Sequence, residues 1–129
     1  MHLLNLRLGT NDLDRARIFY DATFAALGLA GEHLPREAPV IVYKLPGGPN
    51  FAVGLSQNDD PASASNGFTA VFDADSEEDV AAWHAAGIAS GGTCAGAPGP
   101  KPLAYGAYGA YLHDPDGNKL SAYHGLVIR

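Results

Sequence analysis

The sequence predicts an α+β protein of two tandem βαβββ modules, forming a partly open, curved mixed sheet around a concave pocket. Three observations carry the prediction. Apolar residues first alternate with period two, then take helical spacing, then break into short runs. The same order recurs 64 residues further on, with Asn5 falling on Thr69, Leu6 on Ala70, Leu8 on Phe72, Phe19 on Trp83 and Tyr20 on His84. A chain of 129 residues suits one core, and a lone four-stranded sheet with one helix is marginal, so the two modules are expected to pack together.

Residues Leu3–Thr10 alternate, with Leu4, Leu6 and Leu8 toward a core and Asn5, Arg7 and Gly9 opposite, which is a half-buried strand. Asn11 and Asp12 offer helix caps. Leu13, Ala16, Tyr20, Thr23, Phe24 and Leu27 then follow a helical stripe that Gly28 ends. Strands are expected near Ala30–Leu34, Val40–Leu45 and Phe51–Gln57, with Pro46-Gly47-Gly48-Pro49 turning between the last two. The small polar run 58–66 reads as a surface linker, so module 1 covers about residues 1–58 and module 2 about 67–129.

Gly67–Asp73 alternates again, with Phe68, Ala70 and Phe72 on one face and Thr69 and Val71 on the other. Asp75 and Ser76 cap a second helix whose first turn carries Glu77, Glu78 and Asp79. Its buried stripe is Val80, Trp83, His84, Gly87 and Ile88, ended by Gly91-Gly92. Strands near Thr93–Pro98, Ala107–His113 and Lys119–Leu126 follow, the last two joined by Asp114-Pro115-Asp116-Gly117-Asn118.

Composition excludes several classes. A net charge of −6 argues against nucleic acid and against an anionic membrane surface, which both reward clustered Lys and Arg. No run approaches the ~20 apolar residues of a membrane span. The single cysteine, Cys94, excludes an intramolecular disulfide, and without a basic, apolar leader the expected location is cytoplasmic. No GxGxxG or GK[ST] run offers a phosphate cradle.

Two stretches carry a family resemblance. Gly9-Thr10-Asn11-Asp12-Leu13-Asp14-Arg15-Ala16-Arg17 runs into Phe19-Tyr20-Asp21, and Tyr108-Gly109-Ala110-Tyr111-Leu112-His113 runs through the Asp114–Asn118 turn into Lys119-Leu120. Set on a βαβββ repeat, and with the helix Val80–Ala86, they make the whole chain resemble the vicinal oxygen chelate superfamily of glyoxalase I, bleomycin-resistance proteins and extradiol dioxygenases. The resemblance implies one divalent metal, held by His, Gln or Glu from the first and fourth strands of each module, that chelates two neighbouring substrate oxygens and stabilises developing negative charge. Carried over, the ligand positions are Asn5, a place near Val53, Thr69 and Ser121. None is an imidazole or a carboxylate, so neither a metal held in the family manner nor another cofactor is expected.

Strand alternation turns Asn5, Arg7, Thr69, Val71, Lys119, Ser121 and Tyr123 toward the pocket, with Tyr108 and Ala110 from the seventh strand and Phe51, Val53 and Leu55 from the fourth. The expected ligand pocket is Asn5, Arg7, Val53, Thr69, Tyr108, Ser121 and Tyr123. Arg7 either meets an acidic side chain at the rim or awaits an anionic ligand group. His84 reads as a core histidine, His113 as structural, and Cys94, expected to have no histidine nearby, as a small apolar residue. The expected function is to bind a small molecule in the cleft, as a homodimer. The alternatives are a lyase, isomerase or dioxygenase using unorthodox ligands or metal-free acid–base chemistry, and a degenerate member with a structural or partner-binding role.

Overall fold

The structure, a computed structural model, describes residues 1–29, 33–34 and 38–127. The first module runs β1 (Asn5–Gly9), α1 (Leu13–Ala26), β2 (His33–Leu34), β3 (Val40–Lys44) and β4 (Asn50–Gly54). The second repeats the order as β5 (Ala70–Asp73), α2 (Glu77–Ala89), β6 (Thr93–Pro100), β7 (Tyr108–His113) and β8 (Lys119–His124). Of the strand expected at Ala30–Leu34, only His33 and Leu34 lie within the described residues.

Each module forms its own four-stranded mixed sheet, ordered β1-β4-β3-β2 and β5-β8-β7-β6. In both, the helix crosses over so that the first strand lies parallel to the last, while the other pairs are antiparallel. Caps follow the sequence. Asp12 accepts from the Arg15 amide and Ser76 from the Asp79 amide, each at 3.0 Å. At the end of α1, Gly28 (φ 88°) lets its own amide reach Ala25 O and the Leu29 amide reach Phe24 O, a Schellman motif.

The core lies where the helices meet each other and the inner faces of both sheets. Ala16, Phe19, Tyr20, Thr23 and Phe24 of α1 and Val80, Trp83 and Gly87 of α2 are buried, and one apolar cluster spans both modules. Gly87 lies against Leu112, and Gly92 against Phe19 and a backbone carbonyl, so a side chain at either would collide. Two expected core residues lie outside. Ile88 is 44% exposed, because Gly87 takes the sheet contact and the next residue turns about 100° away. Leu4 precedes β1 and lines a surface cavity with Arg7 instead.

The β7–β8 turn ties the modules together. Asp116 accepts from the Thr10 hydroxyl (2.5 Å), the Asn11 amide (3.0 Å) and the Arg15 guanidinium (2.7 Å) at the start of α1. Asn118 donates to Gly9 O at 3.0 Å, and its amide closes the turn on Asp114. The linker joins the same knot, since Asn11 exchanges two hydrogen bonds with the backbone of Ala62.

Candidate functional site

Each sheet has one face on a helix and one open face. In module 1 the register pairs Leu6 with Phe51, Arg7 with Ala52 and Leu8 with Val53. Paired residues share a face, so Asn5, Arg7, Asn50 and Ala52 lie on the open side, while Phe51 and Val53 are buried in the core. Val53 therefore does not line the open face as the alternation had suggested. In module 2 the register sets Tyr111 opposite Ser121 and Gly109 opposite Tyr123, placing Tyr111, Lys119, Ser121 and Tyr123 on the open face with Val71 and Asp73. Tyr108 and Ala110 face the helix, so the seventh strand contributes Tyr111 where Tyr108 was expected. Tyr108 and Tyr111 are three residues apart, so only one of them can point each way.

On module 1, Arg7 extends across Gly54, and its Nη2 donates to Leu55 O at 2.6 Å. A backbone carbonyl, not an acidic side chain, is its partner. A cavity of about 330 Å³ lies beside it, bounded by Leu4, Asn5, Val42 and Asn50.

On module 2 the Tyr111 and Tyr123 hydroxyls lie 2.5 Å apart, their rings edge to face with centroids at 5.8 Å. The Lys119 ammonium stands 5.1 Å from the Tyr111 ring centroid, a cation–π distance. Burial, then the hydrogen bond to Tyr111, raises the Tyr123 pKa above its ordinary value, so this phenol stays protonated at neutral pH. Both rings roof glycines. Tyr123 covers Gly109 and Tyr111 covers Gly96, each on the neighbouring strand, where a side chain would push against the ring. Ser121 is fully buried on this side, and its Oγ has no hydrogen-bond partner among the described residues. A cavity of about 320 Å³ is lined by Tyr123, Val71, Asp73 and Leu126. Another, of about 530 Å³, lies at the far end of the face beside Lys119, His113, Thr69 and the linker.

The metal-ligand positions of the resemblance can now be set in space. Leu6 pairs with Phe51 as its repeat partner Ala70 pairs with Leu120, so Ala52 is the counterpart of Ser121. The four positions are thus Asn5, Ala52, Thr69 and Ser121: one amide, one methyl and two hydroxyls. Such a donor set does not fit a family-type divalent metal, which draws on imidazole or carboxylate. Among the described residues no three of His, Cys, Asp or Glu come together to hold one elsewhere.

Sequence distance hid one further pair. The fold of β6 back onto α2 brings His84 Nε2 to 3.2 Å from Cys94 Sγ, so Cys94 does have a histidine beside it, and it is exposed rather than packed as a small apolar residue. Burial, with Lys101 nearby, lowers the His84 pKa and favours its neutral form.

Residues 2–121 match the Glyoxalase/Bleomycin resistance protein/Dioxygenase superfamily, and the chain belongs to it. It is 41% identical to a glyoxalase/bleomycin resistance protein from Albidiferax ferrireducens T118, over 95% of this chain and 98% of that one, with a TM-score of 0.85. Its fold is also that of a glyoxalase-related enzyme from Fulvimarina pelagi (23% identity over 97% and 88% of the chains, TM-score 0.79). A lactoylglutathione lyase from Agrobacterium tumefaciens shares it as well (23% identity over 95% and 92%, TM-score 0.64). No curated protein matches the chain. None of the described helices is long and apolar enough to cross a membrane.

Proposed function

We propose that this chain binds a small, oxygen-rich anionic molecule on its open faces by hydrogen bonds and charge, in place of the metal chelation its superfamily employs. The donor set carries the reading. Where chelation needs imidazoles and carboxylates, the chain has Asn5, Ala52, Thr69 and Ser121. The same faces supply two phenols, Tyr111 and Tyr123, and two cations, Arg7 and Lys119, against one carboxylate, Asp73, on the edge strand. Protonated phenols donate to carbonyl or carboxylate oxygens, and the cations select for negative charge. The open cavities on these faces are consistent with a homodimer in which a second copy deepens the site, and sedimentation reads that directly.

Calorimetric titration of chelator-treated protein with 4-hydroxybenzoate, and with its neutral amide as control, tests the reading. The carboxylate is expected to bind at least tenfold more tightly, with Lys119→Ala and Tyr123→Phe each weakening it. The protein as purified should hold well under one equivalent of Zn, Ni, Fe, Mn or Co. Stoichiometric metal that Asn5→Ala removes, or equal affinity for acid and amide, would overturn the proposal.

A further inference from the structure

A cavity of about 510 Å³ lies in the seam where the end of α1 and the β3–β4 turn meet the edge strand β5, adjoining at Val71, Phe72 and Asp73 the smaller cavity beside Tyr123. Its size falls within the roughly 300–1,000 Å³ of ligand pockets. Phe24, Leu27, Leu29, Leu45 and Phe72 make the walls, and the charged residues in its lining are Asp73 and Asp75. We propose that this seam is a second binding site, for a small amphipathic monocation of the arylalkylammonium type. Its apolar body would lie against α1 and Phe72, and its ammonium at Asp73 and Asp75.

Three negative sources converge there, and no cation is among the lining residues. Asp73 and Asp75 are exposed and form no ion pair among the described residues. Glu77, Glu78 and Asp79 follow directly in the first turn of α2, and that helix end offsets only about half a charge. The end of α1, which forms part of the wall through Leu27 and Gly28, has no basic residue in its last turn and presents its negative dipole end. Lys44, one residue before Leu45, is exposed and pairs with no carboxylate among the described residues. An anion is repelled by this arrangement. A neutral molecule gains the walls alone, whereas an amphipathic cation gains both walls and charge. The open-face reading calls for a ligand of opposite charge, and the two sites adjoin at Asp73.

The test uses 4-phenylbutylammonium, with 4-phenylbutanol and 4-phenylbutyrate as neutral and anionic controls, titrated into the isotopically labelled chain. The amine is expected to bind tightest, to weaken with added salt, and to shift the amide signals of Leu27, Gly28 and Gly48. The double variant Asp73→Asn/Asp75→Asn, both sites being exposed, should keep its melting midpoint and lose roughly fivefold to tenfold in amine affinity. Equal binding of the three probes, unchanged affinity in the double variant, or shifts centred on Tyr111 and Ser121 would overturn the proposal. Asp73 also borders the cavity beside Tyr123, where its charge opposes a bound carboxylate, so the double variant should not weaken 4-hydroxybenzoate while it weakens the amine, and failure of one site is distinguishable from failure of the other.

Discussion

Tyr20 Oη donates a 2.5 Å hydrogen bond to Asp114 Oδ2 across 94 residues of sequence, inside the seam between the two modules. The same carboxylate accepts from the Asp116 and Asn118 amides and from Asn118 Nδ2. Burial, reinforced by Asp114, holds the Tyr20 pKa well above the ordinary phenol value, so the donor keeps its proton. The two stretches that carry the family resemblance are thus bonded to each other, and their conspicuous polar residues act as a clasp.

Removing the phenol should show the strength of that clasp. Tyr20→Phe leaves a buried carboxylate one donor short, for a loss of about 1–3 kcal/mol in urea unfolding. Arg15→Ala, which removes a half-exposed partner of Asp116, should cost under about 1 kcal/mol. Equal losses in the two variants would argue against a buried clasp centred on Asp114.

Trp83 is fully buried at the place Phe19 holds in the first module, and its indole N–H has no acceptor among the described residues. Trp83→Ala should therefore cost about 3–5 kcal/mol in thermal or urea unfolding. Trp83→Phe, which deletes the orphaned N–H along with some volume, should cost clearly less. A Phe variant as damaged as the Ala variant would mean that the indole N–H does have a partner.

Alkaline pH should unfold the protein through its tyrosines. Tyr20, Tyr43 and Tyr123 all have raised pKa values, with burial the largest cause in each. The folded state then holds these protons more tightly than the unfolded chain. Their contribution is complete below the ordinary value near 10 and is lost as pH rises above it. The urea midpoint is expected to be steady up to about pH 9 and to fall beyond about pH 10. Phenolate absorbance should show part of the six tyrosines titrating only as circular dichroism is lost. Titration of all six near pH 10 in a folded chain would contradict the assignment.

Arg7 is exposed and bonded to a backbone carbonyl, so Arg7→Ala should change stability by under about 1 kcal/mol. Under the open-face reading it should nevertheless weaken binding of an anionic probe by about 1.5–3 kcal/mol, read by calorimetry. Unaltered affinity would remove Arg7 from the site.

Much of this architecture was legible because the repeat is local chemistry. Cap residues, stripe spacing and helix-ending glycines each act within a few residues, and Gly28 and Asp12 do what their types dictate. Faces were legible where polarity alternates, as at Leu6-Arg7-Leu8. They failed where it does not. Phe51-Ala52-Val53 is apolar on both sides, and only its pairing with β1 shows that Ala52 is the outward residue. Tyr108 and Tyr111 could be told apart only by the register with β8. The clasp and the His84–Cys94 pair were hidden for another reason, since their partners become neighbours only after the chain has folded.

The glycines beneath the paired phenols have a consequence for how this surface can change over generations. Gly109 and Gly96 let the Tyr123 and Tyr111 rings lie down on the neighbouring strand. Their missing side chains therefore set how deep the face is and where the two hydroxyls meet. An alanine at either position would lift a ring without altering any phenol, serine or lysine on the face. Under the open-face reading, selectivity for one guest over another would then be retuned from residues that touch no guest, and a lineage could diverge in preference while its apparent contact set stays the same.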